Sequence, residues 1–149
     1  MEPWRSIVSP ALPVALLDTS FLFALANSND RNHQRVVEAA QGLSGSLLLP
    51  VPVLPEVCYL LASRLGHGAM RRFLRELAAS NIGLEPIDRV DLERVNELLA
   101  QYADSHLDFV DAALVAIAER YGVTRILTLD RRDFGMIRPK HCDHFDLVP

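Results

Sequence analysis

The 149-residue sequence has two cysteines, one tryptophan, a single lysine and no surplus of positive charge, and each shortage excludes a class of protein. Cys58 and Cys142 are too few for a disulfide framework and fit a reducing compartment. No segment approaches the roughly 20 consecutive apolar residues of a membrane span. The opening Met1-Glu2-Pro3-Trp4-Arg5 lacks the basic start and apolar stretch of a secretory signal, so a cytoplasmic protein without a membrane is expected. With 15 basic against 19 acidic residues, the net charge of −4 gives no global attraction to nucleic acid, and a polyanionic substrate would need local help. Also missing are a glycine-rich phosphate loop, a serine nucleophile elbow and a usable Cys/His pair. His141, Cys142 and His144 lack the second ligand pair of a zinc site.

What is present is an ordinary globular composition, 50% hydrophobic and 23% charged, sized for one domain and free of repeats. Residues 1–13 carry Pro3, Pro10 and Pro13 without periodicity and are expected to form an irregular arm, with the domain over 14–149. Short apolar runs at Val14–Leu17, Ser46–Leu49 and Arg125–Thr128 predict buried strands, with weaker ones at Leu84–Ile87 and Phe145–Val148. Helices are predicted from a Thr19 or Ser20 cap to Ala26, and over His33–Gln41, Val53–Leu65, Ala69–Ala78, Val90–Tyr102 and Leu107–Tyr121. Gly42, Gly66 and Gly122 supply three of the stops, and Asp130–Phe134 reads as a loop or helical turn. Alternation of this kind predicts an α/β sandwich whose central sheet is mainly parallel, with its functional crevice at the carboxyl ends of the strands.

Three acids stand in apolar surroundings. Asp18 follows four apolar residues at the end of the first predicted strand, Glu56 lies in a helix with almost no polar face, and Asp111 occupies a core-facing slot in Leu107–Tyr121. Unpaired carboxylates there cost several kcal/mol or shift their pKa upward, and a hard cation such as Mg²⁺ or Mn²⁺ would relieve all three together. Asp130, just past the Arg125–Thr128 strand, should approach Asp18 across a parallel sheet. Each acid also has a structural explanation: cap, first-turn charge, turn former or partner of a buried arginine. Asp108, one turn before Asp111, is either a second ligand or a helix-start charge. Thr19, Ser20 and Thr128 either orient these acids or cap helices, and Asp133 is a turn or supporting residue. Arg71, Arg72 and Arg75 make one basic face and Arg131 with Arg132 another, each either solvated surface or a phosphate contact.

Four segments in order carry a resemblance: Leu16-Leu17-Asp18-Thr19-Ser20-Phe21-Leu22, Pro55-Glu56-Val57 leading into Tyr59-Leu60-Leu61, Val110-Asp111-Ala112-Ala113-Leu114, and Ile126-Leu127-Thr128-Leu129-Asp130-Arg131-Arg132-Asp133-Phe134. Over about residues 14–148 the chain resembles the PIN-domain ribonucleases, and among them the VapC-type toxins of bacterial toxin–antitoxin pairs. The resemblance implies a PIN-like three-layer sandwich and a catalytic site of Asp18, Glu56, Asp111 and Asp130. It implies metal ligation by Asp18 and Asp111, with Asp108 as an alternative ligand. It further implies Mg²⁺- or Mn²⁺-dependent endonucleolytic cleavage of RNA, commonly tRNA or rRNA, which halts translation until a cognate antitoxin blocks the site. A homodimer is expected, as is a groove for an antitoxin helix. An aspartyl phosphotransferase of the HAD type also places an Asp after the first strand, but would want another two residues on, where this chain has Ser20. A non-catalytic α/β interaction module with a structural acid cluster is the other alternative.

Overall fold

Short runs of branched apolar residues, too short for buried helices and bounded by prolines and polar turns, settle into a parallel sheet because both of its faces are covered. The computed structural model describes residues 13–149. The arm expected over residues 1–13 lies outside them except for Pro13, which already opens the first strand. The strands are β1 Pro13–Leu17, β2 Ser46–Pro50, β3 Gly83–Glu85, β4 Arg125–Leu127 and β5 Asp146–Val148, in the order β3-β2-β1-β4-β5. Every neighbouring pair is parallel. The helices are α1 Thr19–Ala26, α2 His33–Gln41, α3 Val53–Leu65, α4 His67–Ala79, α5 Arg89–Gln101, α6 Phe109–Tyr121 and α7 Arg131–Met136.

These elements stack as the expected α/β three-layer sandwich. Helix α1 packs against α2 and α3, and α3 against α4, while α6 lies over β1 and β2 and carries α5. Residues 112–118 of α6 are all buried, so this helix is apolar on every side and forms the centre of its layer. Gly122 ends it with φ +69°, a left-handed conformation that costs glycine nothing. Among the described residues no helix is long and apolar enough to cross a membrane.

Several boundaries differ from expectation, four of them for a clear local reason. Helix α6 starts at Phe109 rather than Leu107, because Asp108 is extended and accepts the Asp111 backbone N–H at 2.8 Å as an N-cap. Helix α1 starts at Thr19 with Asp18, not Thr19 or Ser20, in the cap position. Helix α4 begins at His67, directly after Gly66 turns the chain with φ +101°. Asp130–Phe134 becomes part of α7, with Asp130 as its cap. A short helical turn at Ala103–Ser105 was not anticipated.

Candidate active site

The parallel register builds the site. Leu17 of β1 lies beside Leu127 of β4, so the residues that follow, Asp18 and Thr128, leave the same edge of the sheet together. The Asp18 backbone N–H donates to the Leu127 carbonyl at 3.0 Å, and the Thr128 hydroxyl donates to Asp18 Oδ2 at 2.7 Å. Ser20 adds a hydroxyl to the same oxygen at 3.3 Å and lies 3.2 Å from Thr128 Oγ1. The chain leaving β4 fixes both hydroxyls, since Leu129 N–H donates to Ser20 Oγ and Asp130 N–H to Thr128 Oγ1, each at 2.9 Å. Asp18 and Thr128 are both buried. Thr19 is buried beside them and bonds Asp18 through its backbone, while its hydroxyl has no hydrogen-bond partner among the described residues.

The other acids collect around Asp18. Burial, opposed by hydrogen bonds from Thr128, the Thr19 backbone and Ser20 and reinforced by the charge of Glu56, pushes the Asp18 carboxyl up to about 6. Burial and then the charges of Asp108, Asp18 and Asp130 push Asp111 up to about 8. Asp133 is raised by burial and by Asp130. These mutual repulsions place Asp18, Glu56, Asp108, Asp111, Asp130 and Asp133 in one electrostatic neighbourhood. Asp111 is half-buried in the first turn of α6 rather than in the core-facing slot its periodicity suggested. Asp108 and Asp130 each use one carboxylate oxygen as a helix cap, the structural role foreseen for acids at such positions.

Among the described residues none of these six carboxylates has an arginine, lysine or histidine within ion-pair distance. Arg132 is exposed and acts on Asp133 only through its charge, while Arg131 turns its guanidinium to the main-chain oxygens of Leu147, at 3.4 Å, and Pro149. His33 is committed elsewhere, tying α2 to α1 through Nδ1 and the Ala24 carbonyl at 2.8 Å.

The donor set is oxygen only, acidic and short of positive charge, which suits a hard divalent cation. No three histidine, cysteine, aspartate or glutamate side chains converge into a ready-made cage among the described residues. Such a cage is not required by Mg²⁺, which commonly takes one or two carboxylates and completes its shell with water. Asp18 and Asp111 are raised chiefly by burial, and the neighbouring acid charges that add to it are a repulsion a bound cation would quench.

One buried acid escaped the sequence reading. Asp91 is 2% exposed, yet it stands in the charged stretch Arg89–Arg94 and looks solvated in sequence. Its partner Arg120 is 29 residues away, holding Asp91 Oδ1 and Oδ2 at 3.0 and 2.9 Å, and nothing local betrays the pair.

Comparison with known proteins gives the family of this fold. Residues 15–138 match the PIN domain family. Over 134 residues the chain is 34% identical to Ribonuclease VapC26 of Mycobacterium tuberculosis, covering 90% of this chain and 99% of that protein. The fold superposes with a TM-score of 0.74 on VapC20 of M. tuberculosis, a toxin described as cleaving the sarcin–ricin loop, at 24% identity over 79% of this chain and 91% of the other. VapBC2 of Rickettsia felis, solved bound to a DNA fragment from its promoter, aligns with a TM-score of 0.67 and 12% identity over 91% of this chain and 98% of that one. The phosphotransferase alternative finds no support in these matches.

Proposed function

The chain belongs to the PIN-domain family and, within it, to the VapC-type ribonucleases, and we propose that it is a toxin that cuts cellular RNA internally, tRNA or rRNA foremost, with Mg²⁺ or Mn²⁺ as cofactor. Cleavage in the cytoplasm would inhibit translation until a cognate antitoxin covers the site. The observation that carries this reading is the gathering of six carboxylates, without a counterion among the described residues, where β1 and β4 end.

Asp18 and Asp111 would hold the cation, with Glu56 and Asp130 completing the site directly or through water and Asp108 the alternative ligand. A divalent cation there supplies Lewis acidity toward water and toward the phosphodiester. The protein's own part begins with Thr128 and Ser20, which fix Asp18 Oδ2 so that the carboxylate need not reorient on binding. Glu56 accepts no hydrogen bond among the described residues and stands as the base that takes the proton from water. With the whole chain carrying −4, local arginines must draw the RNA in.

Thr128→Val tests the positioning. It keeps the shape of the side chain, removes the 2.7 Å bond to Asp18 and leaves the Asp130 N–H without its acceptor. A fall in cleavage rate of about tenfold to a hundredfold is expected, the usual range for a partner that orients a metal ligand. An unchanged rate would remove Thr128 from the machinery.

A cleft of about 210 Å³ between α1 and α4, lined by Leu22, Leu25, Phe73, Leu77 and Ile82, fits the apolar face of an antitoxin helix. Tyr59, 72% exposed on α3, gives a second copy of the chain an aromatic anchor for a homodimer.

The deciding experiment is cleavage of total cellular RNA by purified protein with Mg²⁺, with Mn²⁺ and with chelator, followed by mapping of fragment ends. Discrete cuts that require the cation are expected. Absence of cutting despite measurable metal binding would instead favour a non-catalytic interaction module, and a phosphorylated Asp18 would revive phosphotransfer.

A further inference from the structure

Most arginines of the α5–α6 side are matched to acids: Arg94 to Glu119, Arg120 to Asp91 and Glu85, and Arg125 to Asp146 on β5. Among the described arginines that have no such partner, three share one cavity. Arg31, in the turn before α2, Arg35, on α2, and Arg131, at the start of α7, line one polar cavity of about 340 Å³. None of the three has an acid within ion-pair distance among the described residues. Arg35 reaches Asn32 Oδ1, at 3.5 Å, and Arg131 the main-chain oxygens of Leu147 and of Pro149, the latter itself part of the cavity lining. Guanidinium groups brought together from separate elements repel one another, so a common anion is the arrangement's natural complement.

Two further features point the same way. Asn32 also lines the cavity and occupies the N-cap of α2 without a side-chain cap bond, so the start of that nine-residue helix abuts the same space, with Asp30 Oδ1 already accepting the Asn32 N–H at 2.7 Å. Thr128 lines it too, and the Thr128 hydroxyl holds Asp18 at 2.7 Å, so the cavity adjoins the acid site. Among the described residues its lining has no aromatic ring on which a base could stack.

We infer that Arg31, Arg35 and Arg131 seat a backbone phosphate of the RNA strand beside the one being cut, giving an acidic protein the local positive patch its substrate needs. This rests on reading the acid site as that of a ribonuclease. The pocket would set affinity and the position of the strand, and leave the chemistry to the acids.

The test measures binding of a fluorescein-labelled, mixed-sequence 12-nucleotide single-stranded RNA by anisotropy across a salt series, in an Asp111→Asn background that spares the probe from cleavage. Arg31→Gln with Arg35→Gln is expected to weaken binding about tenfold and to flatten the dependence of log affinity on log salt by about 0.7 per lost phosphate contact. Arg31→Lys with Arg35→Lys should keep the salt dependence and lose part of the affinity, because the charge stays and the fork goes. Neutralising Arg71, Arg72 and Arg75 on α4 is the comparison and should cost less affinity and less salt dependence than the glutamine pair, an equal or larger loss overturning the inference. Unchanged affinity and salt dependence in the glutamine pair, or absence of RNA binding even at low salt, overturns the inference. Cleavage of total RNA by the otherwise native protein is scored separately. RNA binding that needs Arg31 and Arg35 without any cleavage would sink the ribonuclease reading and leave the phosphate site standing.

Discussion

Asp18→Asn is expected to abolish RNA cleavage and, at the same time, to make the cation-free protein more stable. The rate should fall by about a thousandfold or more, since a neutral amide can neither hold a hard divalent cation firmly nor balance its charge. The gain in stability follows from linkage. Burial is the main cause that lifts the Asp18 carboxyl from its ordinary 3.8 to about 6, so the folded state binds a proton that the unfolded chain has already released. The stability associated with that proton is complete below 3.8 and is lost as pH rises through about 6, and Asp111 extends the loss to about 8. Above these values the native protein carries charges it would rather not hold, on the order of 3 kcal/mol for Asp18. An asparagine still accepts the Thr128 bond through its carbonyl and never ionises, so about 1–2 kcal/mol should be regained at pH 8, a rise of several degrees in melting temperature. Asp111→Asn should act in the same direction. Added Mg²⁺ should stabilise the native protein and leave Asp18→Asn nearly unmoved. Chemical denaturation and melting at pH 5 and pH 8, beside RNA cleavage, measure all of this. A variant that cuts RNA at the native rate, or is less stable than the native protein at pH 8, would refute the argument.

That trade of stability for chemistry also explains what was legible in the sequence. Asp18, Glu56 and Asp111 could be singled out because each interrupts an apolar run, and an interruption of that kind carries a cost that calls for a reason. The parallel sheet was legible from strands too apolar to face water, and α2 and α3 from glycines placed at their ends. Local pattern reached its limit where a partner lies far along the chain. Asp111 read as core-facing because the periodicity of α6 was extended back to Leu107, whereas the Asp108 cap starts the helix later and leaves Asp111 in its first turn. The arginines of the polar cavity come from α2, its preceding turn and α7, about a hundred residues apart in sequence and on segments that follow the paired strands β1 and β4. Asp91 was invisible for the same reason.

Arg120→Gln should be the most destabilising single change outside the apolar core. Arg120 donates through Nε and Nη2 to both oxygens of Asp91 and through Nη1 to Glu85 at 2.7 Å, locking α5 and the end of β3 onto α6. The Asp91 side chain is 3% exposed. Burial by itself would raise its carboxyl, but the Arg120 guanidinium and the Asp88 backbone N–H outweigh burial and hold it below the usual carboxylate range. Removing the arginine strands a buried charge, a change that typically costs about 3–5 kcal/mol. Because the Arg120 side chain is 30% exposed, the lower end applies, about 3 kcal/mol or roughly 6–12 °C in melting temperature. Adding Asp91→Asn should recover part of that loss, since the two substitutions act on one interaction. The pH dependence distinguishes this pair from the acid site. A depressed carboxyl contributes stability that is present above its unfolded value of 3.8 and is lost as pH falls through the lower folded value. The native protein should therefore gain stability as pH falls from 8 toward 4, while the acid site takes up protons, and lose it below 4, as Asp91 is forced to protonate. In Arg120→Gln the stranded carboxyl accepts a proton readily, so the stability gap to the native protein should narrow on acidification. RNA cleavage per folded molecule should stay unchanged, because Arg120 stands at the far end of α6 from Asp111. A gap that widens as pH falls would show that the clamp is held by something other than the charge of Asp91.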